Sequence, residues 1–335
     1  MVYVPQGSFY LGYFLPNTSV VGSPYSNGDR NLQSANVPFP INSTDVPVMG
    51  TAYGQLYDDR GNGYLDPNYP TGYKAFYCMK YELSQGGYRD FLNTISINHP
   101  DSFLSRRTDL TSANYNIIGT PAFTNIPNNY RNGLKATGNA SNFIGCDANF
   151  NNVFNEPDDG EWTACNYLGW ADIAAFLDWA ALRPMTEMEY EKAAKGPDFP
   201  TGQAYASGSY IDVAVESITG INTAAESVTA NNNSNIINYS GLGVGGPLRN
   251  GFAANATSNR LKSGGSYYGI MELSGNLEEI TISTSNNLGR SFQGTLGDGQ
   301  LTANGEAIQN SWPGAEGKGA TDVAAIGSIV NVTDE

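Results

Sequence analysis

Histidine is nearly missing from this chain of 335 residues: His99 stands by itself, and only three cysteines accompany it, Cys78, Cys146 and Cys165. None of the cysteines forms a CxxC pair, so the nitrogen-and-sulfur ligand set of a zinc site is not available. A serine–histidine–aspartate triad would rest entirely on His99, beside Pro100 after a helix end, where an exposed surface role is the expectation. Charge is also scarce, at 15% of residues, and acids outnumber bases 32 to 17. The net charge of −15 repels phosphate backbones and sets nucleic acid aside as a partner. No apolar run approaches the roughly 18 residues of a spanning helix, so no transmembrane segment is expected. Nor does a basic-then-apolar leader stand at Met1. An exported form would have lost its leader or carry it outside this numbering.

What is present is turn-forming and aromatic. Gly (39), Asn and Tyr (21) are abundant, which suits a loop-heavy globular protein better than a helix bundle. Aromatics at 12% bury enough apolar surface to argue against disorder. Cys146 and Cys165 flank a polar loop and are placed to pair in an oxidising compartment, closing a loop of about 20 residues; two unbridged thiols are the alternative. Cys78, in the run Phe76-Tyr-Cys-Met79, reads as a small core hydrophobe.

Along the chain, residues 13–75 read as a long decorated loop after a short opening strand. Within it, Asp58-Asp-Arg-Gly-Asn-Gly63 has the composition of a calcium loop but lacks the glutamate expected at its twelfth position, so a plain turn is predicted. A strand is expected from Ala75 to Leu83. Ser84 then caps a helix to about Ser96, with Tyr88, Phe91, Leu92 and Ile95 on one stripe. Residues 105–160 read as a polar insertion ending in the acidic turn Glu156-Pro-Asp-Asp-Gly-Glu161. A second helix fits about 170–181, with Ile173, Phe176, Leu177 and Ala180 on its apolar face. Thr186-Glu-Met-Glu189 is a capping box that starts a third helix, ending at Gly196.

Four segments, in order, resemble the formylglycine-generating-enzyme, or sulfatase-modifying factor, family. They are the opening Met1-Val-Tyr-Val-Pro-Gln-Gly-Ser-Phe; Phe76-Tyr-Cys-Met-Lys-Tyr-Glu82 with Tyr88 and Phe91; Arg183-Pro-Met-Thr-Glu187-Met-Glu189-Tyr-Glu191; and Tyr268-Gly-Ile-Met-Glu272-Leu-Ser-Gly275-Asn276-Leu-Glu278-Glu279. The wording of the second and third is similar to a subgroup of surface or secreted proteins from Bacteroidota-type bacteria. The resemblance implies one α+β domain of the C-type-lectin-like type over residues 1–335, with 13–75 and 105–160 as loop insertions and 296–335 as a divergent end. It implies buried, structural glutamates at 187, 189 and 191. It also implies a structural calcium ion held by Glu272, the carbonyls of Gly275 and Leu277, and Glu279, with a second site at Asn238 and the carbonyl of Tyr239. Mixed carbonyl and carboxylate oxygens suit calcium.

The family's reaction uses two cysteines that hold copper(I), a metal that wants soft thiolates, after the Gly-Asn turn. Residues 280–335 contain none. A related iron-dependent branch needs three histidines, and His99 is alone. The expectation is therefore a non-catalytic protein, exported or at the cell surface, with a structural, adhesive or binding role. Its partners would be a protein or glycan there, copies of itself included. Rival readings are an oxidase whose cysteine-bearing end lies outside this sequence, and a scaffold in a secretion or gliding apparatus.

Overall fold

The computed structural model describes residues 1–12, 38–46, 65–98, 129–136, 144–199, 205–211, 213–229, 236–238, 245–282, 284, 287–303, 305–313 and 330–333. His99, Tyr239 and the turn at 58–63 lie outside these residues.

Strands here are short, and every sheet among the described residues has two of them. Strand β1 (Val2–Val4) pairs antiparallel with β4 (Phe76–Cys78), and β2 (Phe9–Leu11) with β3 (Phe39–Ile41). Then β5 (Leu134–Ala136) pairs with β6 (Ile144–Cys146), and β8 (Ser217–Thr219) with β9 (Ser227–Thr229). The two-residue strands β7 (Val213–Ala214) and β10 (Ile236–Ile237) run parallel. Finally, β11 (Glu279–Ile282) pairs antiparallel with β12 (Val330–Thr333). Two-stranded ribbons are marginal alone. Here they hold because four clusters of buried side chains pack against them.

Helix α1 (Gln85–Asn98) starts where expected, with the Ser84 hydroxyl accepting from the N–H of Gly87 at 3.1 Å. Its predicted stripe, Tyr88, Phe91, Leu92 and Ile95, is buried. It packs on helix α2 (Trp170–Trp179), where the Phe91 and Phe176 rings meet edge to face at 5.7 Å. Each such side chain contributes roughly 1.5–3 kcal/mol of burial. Helix α2 begins at Gly169, whose N–H donates to the Asp172 carboxylate at 3.0 Å.

Helix α3 (Glu187–Lys195) carries the capping box in full. The Thr186 hydroxyl accepts from the Glu189 N–H, and the Glu189 carboxylate accepts from the Thr186 N–H, both at 3.2 Å. Gly196 ends the helix at φ +80°, where an added Cβ would lie 2.3 Å from the Tyr267 ring. Glu187, Glu189 and Glu191 are all buried, and each has a partner. Arg183 grips Glu189 with two nitrogens at 2.7 and 2.6 Å, Thr284 donates its N–H to Glu187 at 2.6 Å, and Lys195 pairs with Glu191 at 3.1 Å. The neighbouring Lys192 ammonium is buried as well. It donates to the carbonyls of Pro5 and Gly72 at 2.7 Å each, and burial lowers its pKa to about 8. This helix is a charged rod inside the protein, held by matched partners.

Three regions contribute to the core. The first decorated loop contributes β3, and its Ile41, Val46, Leu65 and Tyr69 join the core beside Phe9 and Leu11. The polar insertion contributes the β5–β6 hairpin, whose Leu134, Ile144 and Cys146 pack under α1. The end of the chain is also integral. Trp312 is fully buried and donates its indole N–H to the Thr295 carbonyl at 2.9 Å. The buried carboxylate of Asp178 in α2 accepts from the N–H groups of Asp298 and Ile308, at 3.0 and 2.9 Å, and so clasps that segment. Beyond it, β12 supplies a strand to the pair with β11.

No disulfide joins the cysteines. Cys146 and Cys165 sit in one apolar cluster, packed as side chains of the core. Cys78 packs against another cluster, beside Phe76 and Tyr268, as its sequence setting predicted.

Candidate functional site

The turn after Ile270 is bent by three residues in the left-handed region: Glu272 (φ +57°), Gly275 (φ +78°) and Asn276 (φ +72°). Glycine is required at 275, because a Cβ would meet Ile237 Cγ2 at 2.4 Å and the Asn238 carbonyl at 2.8 Å. Asparagine tolerates the left-handed conformation well, and Asn276 uses it to tie four segments together. Its backbone N–H donates to the Asn238 carbonyl at 2.7 Å. Its side-chain oxygen accepts from the Leu248 N–H at 2.7 Å and the Asn238 amide at 3.0 Å. Its amide nitrogen donates to the carboxylate of Glu82, which also accepts from the Leu277 N–H at 3.0 Å.

Glu82 lies just after β4 and is the residue that sequence reasoning did not place in a site. Burial, and then the charge of Glu272, push its carboxyl well above the usual range, while the bonds from Asn276 and Leu277 pull it back. Glu272 is 5% exposed. One of its oxygens accepts from the Gly251 N–H at 2.9 Å; the other, Oε2, is buried without a donor. Burial raises the Glu272 carboxyl to about 8, against the Gly251 bond and the Arg249 charge. Nearby, the Asn250 amide donates to the Glu82 carbonyl at 2.7 Å while its own oxygen is buried without a donor.

The segment carrying Leu248 to Gly251 is fixed from behind by a buried ion pair. Arg131 and Glu226 bind each other, and Glu226 accepts from the Arg249 N–H at 2.8 Å. Arg131 adds a bond to the Pro247 carbonyl at 2.6 Å. Two buried charges without each other would be costly, so this pair locks the geometry of the hub.

Beside the hub lies a cavity of about 550 Å³. Its apolar wall comes from Met79, Leu83, Leu168, Ile173, Phe176 and Leu177, and its polar wall from Glu82, Asn166, Asn276, Glu278 and Glu279. Tyr167 stands on its edge, with the Tyr130 ring 6.0 Å away. A mainly apolar concavity with a few convergent polar groups is the usual form of a ligand site.

The sequence-derived metal residues fall as follows. Gly275 and Leu277 are in the turn, and the Gly275 carbonyl accepts from the Leu277 N–H at 3.1 Å. Glu279 begins β11, half-buried, and its charge acts on Cys78. The carboxylate that acts on Glu82 is that of Glu272. Asn238 is buried, and its amide donates to the Gly246 carbonyl at 3.1 Å as well as to Asn276.

A family model described as the sulfatase-modifying factor enzyme 1-like domain matches residues 1–319. The chain belongs to that family. No curated protein and no solved structure matches it. The small sheets and few helices agree with an α+β member of the sulfatase-modifying factor family. Among the described residues, no helix is long and apolar enough to cross a membrane.

Proposed function

We propose that this chain is a non-catalytic member of the sulfatase-modifying factor family, built on a C-type-lectin-like frame and serving as an exported surface binding or structural subunit. The state of its thiols carries the reading. The family reaction needs a reactive cysteine pair, and thiolate is the form that attacks and binds copper(I). Cys78 and Cys146 are each pushed up to about 12, burial being the main cause in both, so neither ionises near neutrality. Cys78 packs apart from Cys146 and Cys165, which share a cluster, and the residues after the Gly275-Asn276 turn, where the family's pair stands, hold no cysteine. This donor set does not fit copper(I).

A structural calcium ion fits better. The donorless, buried Oε2 of Glu272 is the feature a hard cation would satisfy; the Gly275 and Leu277 carbonyls and Glu279 are the further oxygens that the family resemblance implies. For binding, the support is aromatic. The Tyr3 and Tyr77 rings meet at 5.3 Å, tilted to each other, on β1 and β4, with Tyr77 67% exposed, and Tyr130 with Tyr167 flanks the cavity. Rings of this kind, with amides nearby, suit a protein or glycan partner at the cell surface.

The test is a thiol-oxidation assay on the full chain with copper(I), oxygen and a cysteine peptide, alongside titration of the protein's own thiols. The expected result is no formylglycine by mass spectrometry. Cys78 and Cys146 should resist an aromatic disulfide reagent until the protein is unfolded. Copper-dependent turnover would overturn the proposal and restore the oxidase reading.

A further inference from the structure

The segment from Asp147 to Glu161 follows β6 and leads back toward the start of α1. Its turns are wound by short polar side chains. Asn149 Oδ1 accepts from the Asn151 N–H at 3.0 Å, Asn151 Oδ1 from the Val153 N–H at 2.6 Å, and Asp147 Oδ1 from the Asn152 N–H at 3.3 Å. The winding delivers three carboxylates to one place: Glu156, Asp158 and Asp159 each present an oxygen, and all three oxygens lie within 4.8 Å of one another.

An independent feature marks the cluster. Asp159 is completely shielded from solvent. Its Oδ2 accepts from the Glu156 N–H at 2.7 Å, but Oδ1 is buried with no donor at all. Buried carboxylate oxygens are normally satisfied, so an orphan of this kind is the mark of a missing partner. The nearby cations are committed elsewhere. Lys135 donates to Asp147 Oδ2 and to Asn152 Oδ1 at 2.9 Å each, and Arg89 pairs with Glu161 and Asp90. Besides that backbone N–H, one neutral side-chain donor among the described residues reaches the cluster, the Asn151 amide on Glu156 Oε2 at 2.6 Å.

We propose that Glu156, Asp158 and Asp159 form a calcium site, separate from the turn at Glu272, with water completing the shell on the exposed side of Asp158. An all-oxygen set excludes soft metals. Irregular loop geometry suits calcium, which accepts six to eight oxygens flexibly, better than magnesium, which demands a near-ideal octahedron. Three acids and an open side place the affinity in the range of extracellular modules, on the order of 10⁻⁴ M. The end of this segment, with Thr163 just beyond it, receives the first N–H groups of α1. Gln85 donates to the Thr163 carbonyl at 2.8 Å and Gly86 to the Glu161 carbonyl at 2.9 Å. An ion here would therefore fix the loop on which α1 is seated.

Calcium binding to the metal-stripped full chain is measured by calorimetry for wild type, Asp158→Asn, Glu156→Gln and Glu272→Gln. Terbium luminescence is the second readout. Trp162, half-exposed and three residues beyond Asp159, is the antenna, and Trp162→Phe is its control. Both loop variants replace side chains at or near the surface and keep an oxygen acceptor, so the fold survives them. The expected result is a site weakened about tenfold or more in both loop variants and kept in Glu272→Gln. Calcium-displaceable terbium emission should be lost in Trp162→Phe. Wild type that binds no calcium up to several times the affinity above, or loop variants that bind it as tightly as wild type, would overturn the proposal.

Discussion

Replacing Glu272 by glutamine removes one buried ionisable group and leaves its shape. In the metal-free protein this change should alter the dependence of stability on pH. The carboxyl ordinarily titrates at 4.5 and is raised to about 8 in the fold, mainly by burial. A folded pKa above the unfolded one means the folded state holds more protons between those values. Stability from this group is thus complete below 4.5 and is lost as pH rises through 8. At 1.36 kcal/mol per pH unit, the loss is about 3 kcal/mol by pH 7 and at most about 5 kcal/mol over the window. Glu82 acts in the same direction, because its carboxyl is also raised and Glu272 is one of the causes. Glutamine keeps an oxygen to accept from Gly251 and carries no charge at any pH. Urea unfolding in a chelator, from pH 5 to pH 8, should show wild type losing about 3–4 kcal/mol more than the variant. Parallel curves for the two proteins, within about 1 kcal/mol, would refute the reasoning. Calcium then separates the two proposed sites. Stabilisation abolished by Glu272→Gln belongs to the turn, and stabilisation abolished by Asp158→Asn belongs to the acidic loop.

Two further changes probe the frame around the hub. Gly275→Ala should cost at least about 2 kcal/mol in urea unfolding, because strain at φ +78° adds to the overlap with Ile237 and Asn238. Gly12→Ala, at the same φ but with nothing within 4 Å of the added carbon, should cost about 1 kcal/mol and serves as the control. Trp312→Ala should cost about 3–5 kcal/mol, read as a lowered thermal midpoint; a loss under about 0.5 kcal/mol would mean that the segment around it is not part of the core.

The helices were legible in the sequence because each announces itself locally. Tyr88, Phe91, Leu92 and Ile95 repeat at helical spacing, and Thr186 and Glu189 name their own cap within four residues. Apart from the opening strand and the one expected within Ala75 to Leu83, the strands did not announce themselves. Three residues give a period-2 pattern too little length to stand out, so β3 and the β5–β6 hairpin were hidden among Asn, Gly and Pro. What makes them strands is a partner far along the chain: Ile41 packs with Met188 and Trp312, and Cys146 with Phe91 and Phe176. The site followed the same rule. Glu82 and Asn276 each belonged to a segment that carried the family resemblance, yet nothing local says that residues 194 apart in sequence meet. Burial of charge is equally non-local. Glu187 and Glu189 look alike on the sequence, but one is satisfied by Arg183 six residues away and the other by Thr284, 97 residues away. A glutamate in a helix becomes structural only when the fold brings it a donor. Where the fold brings none, as at Glu272 Oε2 and Asp159 Oδ1, the unfilled bond is the feature that points to an ion.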